Sequence, residues 1–258
     1  MQVNPDKTEL AAAIQTASEW VAGNLLVIDT ESTDMNWLAQ KIGTSSDGKP
    51  LFETDEKAIV RYVKKEPFDQ YLERLTTAES KQITRWVDAA AKGGFQRAVG
   101  IFDLVQIAGI RLDGSGSFDH LLYPAHEISP EAIKVHKKSW KAIVDSGRAV
   151  YWSGIYPELY NKLRNATVIA YNSFFDSRGV AHANRIHGMA QFRGLKWVCA
   201  MHLYSQFRGE PGKYGGYRWI GLSEAISQCG LKQDAAHDAM GDVSMTAALV
   251  NFMASYQG

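Results

Sequence analysis

The chain has only two cysteines, Cys199 and Cys229, in 258 residues, and no Cys-x-x-Cys pair. That excludes a disulfide scaffold and predicts reduced thiols in a cytoplasmic protein. Cys199 and His202 have a suggestive spacing, but with no second pair a structural zinc site is not expected. No apolar run reaches transmembrane length. The polar start, followed by an amphipathic helix around Leu10 to Val21, lacks the regions of a signal peptide, so no membrane partner is expected. Repeats and low-complexity tracts are missing, as are G-x-S-x-G and a P-loop, which leaves serine-hydrolase and nucleotide-triphosphate readings without support. Net charge is missing too, since 28 Lys and Arg balance 28 Asp and Glu. Any affinity for phosphate has to be local to a cleft rather than a bulk property of the surface. A hydrophobic content of 45% is enough for one sizeable α/β core plus additional helices.

Among the residues that are present, Asp29 and Glu31 stand out. They close the apolar run Leu25-Leu26-Val27-Ile28, which reads as a strand. A strand has a side-chain period of two, so both carboxylates project from one face at the strand's end. Two acids aimed at one point repel in a low-dielectric cleft, and a divalent cation between them removes the conflict. Oxygen ligands favour Mg²⁺ or Mn²⁺ over Zn²⁺.

Two further acids and a histidine lie downstream. Asn165 to Asn172 reads as a short buried strand, and Ser173-Phe174-Phe175-Asp176 opens a helix running toward His187. Asp176 therefore sits near a strand-to-helix junction. In His237-Asp238-Ala239-Met240-Gly241-Asp242, Asp238 is the predicted N-cap of a helix carrying Val243, Leu249, Val250 and Met253. Asp242 is then borne on that helix and His237 on the loop before it, where a histidine can reach a reacting centre.

In this order, Val27 to Thr33, Ala170 to Asp176 and His237 to Asp242 resemble the three motifs of the DnaQ-like 3′ to 5′ exonucleases, in the branch with a histidine five residues before the last aspartate (DEDDh). Asp103 to Ile110 resembles that family's second strand, Ile128 to His136 its following helix, and Trp197 to Leu203 its late strand and helix. Gln106 stands where an acid is common, and Tyr171 where many relatives have histidine. The resemblance implies an α/β fold of the ribonuclease H-like kind, a mixed central sheet flanked by helices. It implies Asp29, Glu31, Asp176 and Asp242 as ligands of two divalent cations, Mg²⁺ or Mn²⁺, and His237 as general base. The implied activity is release of nucleoside 5′-monophosphates from a nucleic acid 3′ end. DNA, particularly single-stranded, is the expected substrate; RNA-end trimming and an accessory, polymerase-docking role are the competing expectations. Thr30, Ser32, Thr33, Trp37, Asn172 and Phe174 are the expected substrate contacts, while Phe175 is expected in the core.

Residues 35–97 depart from the family pattern, separating residues 1–34 from 98–258 of the exonuclease domain. Thr54-Asp55-Glu56 precedes an amphipathic run through Val63, and Thr76 to Glu79 has capping-box spacing before Ile83, Trp86 and Val87. The insertion is therefore predicted to be a helical subdomain, serving as a lid, a surface for a protein partner, or a part with no direct function. Gly209 to Trp219 reads as a flexible basic loop able to approach a backbone, or equally as a surface connection.

Overall fold

In the computed structural model, which describes residues 7–33, 41–44, 50–52, 103–124, 128, 130–233 and 237–257, β1 (Leu26–Ser32) runs through the middle of a five-stranded sheet. Antiparallel to it lies β4 (Leu104–Arg111), and β5 (Phe118–Leu121) pairs antiparallel with β4 at the edge. On the other side, β6 (Thr167–Ala170) and β7 (Lys196–Cys199) continue parallel, giving the order β5-β4-β1-β6-β7. This is the mixed sheet expected from the sequence. Gly109 of β4 faces Phe118 of β5, and a Cβ there would lie 2.6 Å from the phenyl ring, so glycine is what lets the edge strand pack its aromatic flat on its neighbour.

Among the described residues the helices are α1 (Lys7–Ala22), α2 (Pro130–His136), α3 (Trp140–Asp145), α4 (Trp152–Leu163), α5 (Ser173–Ile186), α6 (Ala200–Arg208), α7 (Leu222–Gln228) and α8 (Ala239–Ala254). The two-residue period of β1 sorts them into two layers. Val27 belongs to a core with Ala13 and Ala17 of α1, Leu203 and Phe207 of α6, Ile226 of α7 and Val243, Leu249 and Val250 of α8. Leu26 and Ile28 belong to the opposite core, with Trp152, Leu159 and Leu163 of α4 and Val180 and Ala183 of α5. α8 has buried residues all around its circumference because it packs on β1 and β4 and is covered by α1 and α7.

Thr33 and Asp103 stand at the two ends of the long interruption between β1 and β4. The Thr33 amide donates to the Asp103 carbonyl at 2.8 Å, and the Asp103 amide donates to Thr33 Oγ1 at 2.9 Å. The chain thus leaves and re-enters the sheet at one point. Within the interruption, β2 (Lys41–Thr44) and β3 (Pro50–Phe52) form a separate antiparallel pair, which the helical expectation did not include. The helices expected from Thr54 and from Thr76 lie outside the described residues.

The expected flexible loop at Gly209 to Trp219 is instead a folded turn. Pro211 bridges Tyr217, while Arg218 pairs with Glu210 at 2.8 Å and with Glu224 at 2.7 Å, and Arg208 also pairs with Glu210. Arg218 of the loop and Arg208 at the end of α6 are thereby held by carboxylates of the same chain. Cys199 and Cys229 are free thiols. Cys199 Sγ donates to the Tyr171 carbonyl, and His202 packs against the Trp219 ring, so this pair is scaffold, as expected. Among the described residues no helix is long and apolar enough to cross a membrane.

Candidate active site

The strand period that sorts the core also builds the site. Asp29 and Glu31 follow Val27 on the face covered by α8, and Asp242, in the first turn of α8, meets them there. Ligand oxygens of Asp29, Glu31 and Asp242 all lie within 4.8 Å of one another. Thr30 points the other way, toward α5. Its amide and its hydroxyl both donate to Asp176 Oδ1, at 3.0 and 2.8 Å, and Asp176 is only 2% exposed. One strand end therefore gathers a carboxylate from each helical layer.

The electrostatics are those of like charges out of water. Burial pushes the Asp29 carboxyl well above the usual range, and Asp176, Asp242 and Glu31 push it further. Burial likewise raises Glu31 to about 8, with Lys138 opposing and Asp242 and Asp176 adding to the rise. Asp176 is raised to about 7 by burial, against the two Thr30 hydrogen bonds. Asp242 is raised by burial, against a hydrogen bond from the His237 backbone amide. An arrangement of this kind holds protons or takes up a cation. Its donor set, carboxylate oxygen throughout, suits a hard divalent ion.

His237 is solvent-exposed on the turn before α8, with its backbone in the left-handed region at φ 63°. Asp238 occupies the N-cap position as expected, yet its side chain makes no capping hydrogen bond. Its carboxylate instead takes the Lys138 ammonium at 3.1 Å. Burial would raise Asp238, but the Lys138 contact prevails and holds it below the usual range.

Three neighbours of the acids were not singled out as site residues from the sequence. His136, at the end of α2, is buried; its Nε2 lies 3.0 Å from the Ser32 carbonyl and its Nδ1 accepts the Lys138 amide, which fixes the Nε2–H tautomer and ties α2 to the end of β1. Lys138 follows at the α2–α3 junction. Gln106 pairs in register with Glu31, donates to Asp119 at 2.7 Å and accepts the Ala239 amide at 3.1 Å, so it holds the start of α8 against the sheet. The one sequence signal for His136 and Lys138 was the run His136-Lys137-Lys138 just past a helix end.

The expected substrate contacts divide. Thr30 and Thr33 are buried with their hydroxyls engaged inside the fold, and Ser32 is 5% exposed with its carbonyl facing His136. The Thr30 and Thr33 hydroxyls thus bond within the strand end that carries the acids. Asn172 is exposed at the N-cap position of α5 and makes no capping hydrogen bond with its side chain. Phe174 is 63% exposed, with the Arg178 guanidinium 4.2 Å from its ring centroid. Phe175 packs against the α4–α5 core, as expected. Trp37 lies outside the described residues.

The chain matches no protein-family model. It is 26% identical over 184 residues to the uncharacterized exonuclease CP81 of Escherichia phage 186, an alignment covering 68% of this chain and 93% of that protein. Among solved structures it shares its fold with S. pombe Pop2p in the Mg²⁺ and Mn²⁺ bound form, at TM-score 0.50 and 13% identity, over 96% of this chain and 90% of that one. The nuclease domain of 3′hExo, a DEDDh family member bound to rAMP, aligns at TM-score 0.47 and 11% identity, over 59% of this chain and 81% of that domain.

Proposed function

We infer that this chain, a relative of a phage exonuclease on a ribonuclease H-like fold, is a DnaQ-like, DEDDh-type 3′ to 5′ exonuclease that removes nucleoside 5′-monophosphates from DNA ends. The observation that carries this reading is the convergence of Asp29, Glu31 and Asp242 within 4.8 Å beside Asp176, with His237 on the adjoining turn. Asp29, Glu31, Asp176 and Asp242 would hold two divalent cations, Mg²⁺ or Mn²⁺. Bound there, such ions supply Lewis-acid polarisation of the phosphodiester and a water acidic enough to ionise near neutral pH.

The protein's own groups do the rest. His237, on an exposed turn, accepts the proton of the attacking water through its imidazole. Thr30 orients Asp176 from behind. Phe174 offers a solvent-facing ring to the terminal base, and Asn172 a side-chain amide beside it. Lys138 places a positive charge at the rim, where the incoming phosphate adds negative charge.

DNA is the substrate taken here: of the candidate contacts to a 2′-hydroxyl, the Thr33 hydroxyl is engaged inside the fold, which leaves the exposed Asn172 amide as the group whose contact would shift the preference to RNA. The same reading takes residues 35–97 as a unit inserted into an exonuclease domain of residues 1–34 and 98–258. The reciprocal Thr33–Asp103 hydrogen bonds support this boundary.

The test is incubation of 5′-labelled DNA and RNA oligonucleotides of one sequence with Mg²⁺, Mn²⁺ or EDTA. Metal-dependent shortening from the 3′ end, faster on DNA, is the expected result. Faster trimming of RNA would reassign the substrate, and no shortening of either would refute the enzymatic reading.

A further inference from the structure

The edge of the sheet beside the site carries aromatic side chains that the chemistry above does not use. Tyr123 lies just past β5, with the Tyr151 ring 5.1 Å away and the Trp140 ring 6.2 Å away, centroid to centroid. Trp140 is 42% exposed and Tyr151 66%, where a core aromatic would be close to zero. Val144 and Val150, also exposed, extend the apolar surface. Lys137 and Arg148 are exposed nearby in sequence, while Lys141 is paired with Asp145.

The register of the sheet locates this surface. Glu31 pairs with Gln106, and Gln106 pairs with Leu121, so the three stand in one row across β1, β4 and β5. Strands are about 4.8 Å apart, which puts Leu121 about 10 Å sideways from Glu31. β5 runs in the direction of β1, so Tyr123, two residues past Leu121, lies beyond that row at the same end of the sheet as the acids. Trp140 reaches the area from the other side. It is two residues past Lys138, whose ammonium lies 3.1 Å from Asp238. The basic side chain at the rim of the site and the first aromatic of the surface thus belong to one short stretch of chain.

We propose that Tyr123, Trp140 and Tyr151, with Lys137 and Arg148, form a track for single-stranded nucleic acid leading away from the acid cluster, holding bases upstream of the 3′ end. The inference rests on the exonuclease reading for its direction. The exposed Trp140 and Tyr151 rings, each with a basic residue three positions before it in the chain, Lys137 and Arg148, fit stacked bases and their phosphates, a sequence-tolerant mode suited to an enzyme that meets every base in turn. It also reconciles the zero net charge with a nucleic acid ligand, because the affinity comes from a local strip. An apolar patch for a protein would have no need to sit in line with Lys138 and the acids.

The test compares the full chain with Trp140→Ala/Tyr151→Ala and with Arg148→Glu, on two substrates. One is a fifteen-residue oligothymidylate; the other is the p-nitrophenyl ester of thymidine 5′-monophosphate, too short to reach the track. The expected result is a KM for the oligonucleotide raised about tenfold or more in the double variant, with hydrolysis of the ester unchanged. Arg148→Glu should flatten the salt dependence of binding by about one ion. Equal losses on both substrates, an unchanged oligonucleotide KM, or a change in oligomeric state without a change in KM would each overturn the track. Should the double variant melt early, Tyr151→Ala alone carries the same comparison. If the wild type cleaved neither substrate the exonuclease reading would fall, and fluorescence anisotropy of the labelled oligonucleotide in EDTA would still decide the track through the loss of binding in the variants.

Discussion

Thr30 and Asp176 are joined by two hydrogen bonds to a single oxygen, the Thr30 amide at 3.0 Å and its hydroxyl at 2.8 Å from Asp176 Oδ1. The residue between the two strand acids thus holds the helix acid in place. Thr30→Val keeps the shape and removes one donor to a buried carboxylate, at a cost of about 1.5–3 kcal/mol when that group is charged. Equilibrium unfolding near pH 8 should show the loss, and Mn²⁺ titration should show affinity weakened several-fold, with Thr30→Ser restoring both. Affinity equal to wild type in the valine variant would remove Thr30 from the site's support.

The raised carboxyls make a pH prediction of definite sign. Glu31 at about 8 and Asp176 at about 7 stand well above their unfolded values near 4, and Asp29 and Asp242 are raised as well. Between about pH 4 and pH 8 these four carboxyls bind more protons in the folded chain than in the unfolded one, outnumbering His136, which burial lowers and which acts in the opposite sense, so stability falls as pH rises through that window. In EDTA the melting temperature should drop from about pH 5 to about pH 8, and Mn²⁺ at the upper pH should recover much of the loss. A melting temperature that rises with pH in EDTA would contradict this account of the cluster.

Much of this was legible in the sequence because the site rides on local periodicity. The two-residue period put Asp29 and Glu31 on one face, and a strand followed by a helix put Asp176 at a junction. His237 and Asp242 were readable as loop and helix from the apolar positions after Asp238. What was not legible depends on packing between distant segments. Thr30 and Thr33 read as substrate contacts because they neighbour the acids, and only the arrival of α5 and Asp103 turns their hydroxyls inward. Asp238 stands at the helix cap as read, and what was not legible is the ion pair of its carboxylate with Lys138, a hundred positions earlier. The expected flexibility of Gly209 to Trp219 followed from its glycines, while its order comes from Glu210 and Glu224.

Gln106 ties three elements together, and its removal should be felt at Asp242. Gln106→Leu leaves the Ala239 amide at the head of α8 without its acceptor, a loss of about 1–3 kcal/mol. Chemical denaturation should show that decrease, together with a weaker metal affinity. Gln106→Glu should do no better, because it would face the carboxylate that Gln106 now bonds on Asp119. A glutamate variant as stable as wild type would argue against the Gln106–Asp119 contact.

His237 is exposed and contacts the acids through its backbone, so replacing its side chain should leave them in place. His237→Ala should lower turnover by about two to four orders of magnitude while oligonucleotide binding in EDTA stays as in wild type. Turnover equal to wild type would exclude the imidazole as base.

The most direct test of the account is the cleavage of a 5′-labelled single-stranded DNA by wild type and by Asp29→Ala, each with Mn²⁺ and with EDTA. The account predicts stepwise shortening from the 3′ end by wild type with Mn²⁺ alone, and none by the variant. Shortening by Asp29→Ala at the wild-type rate would mean that the four carboxylates are not the site of the reaction.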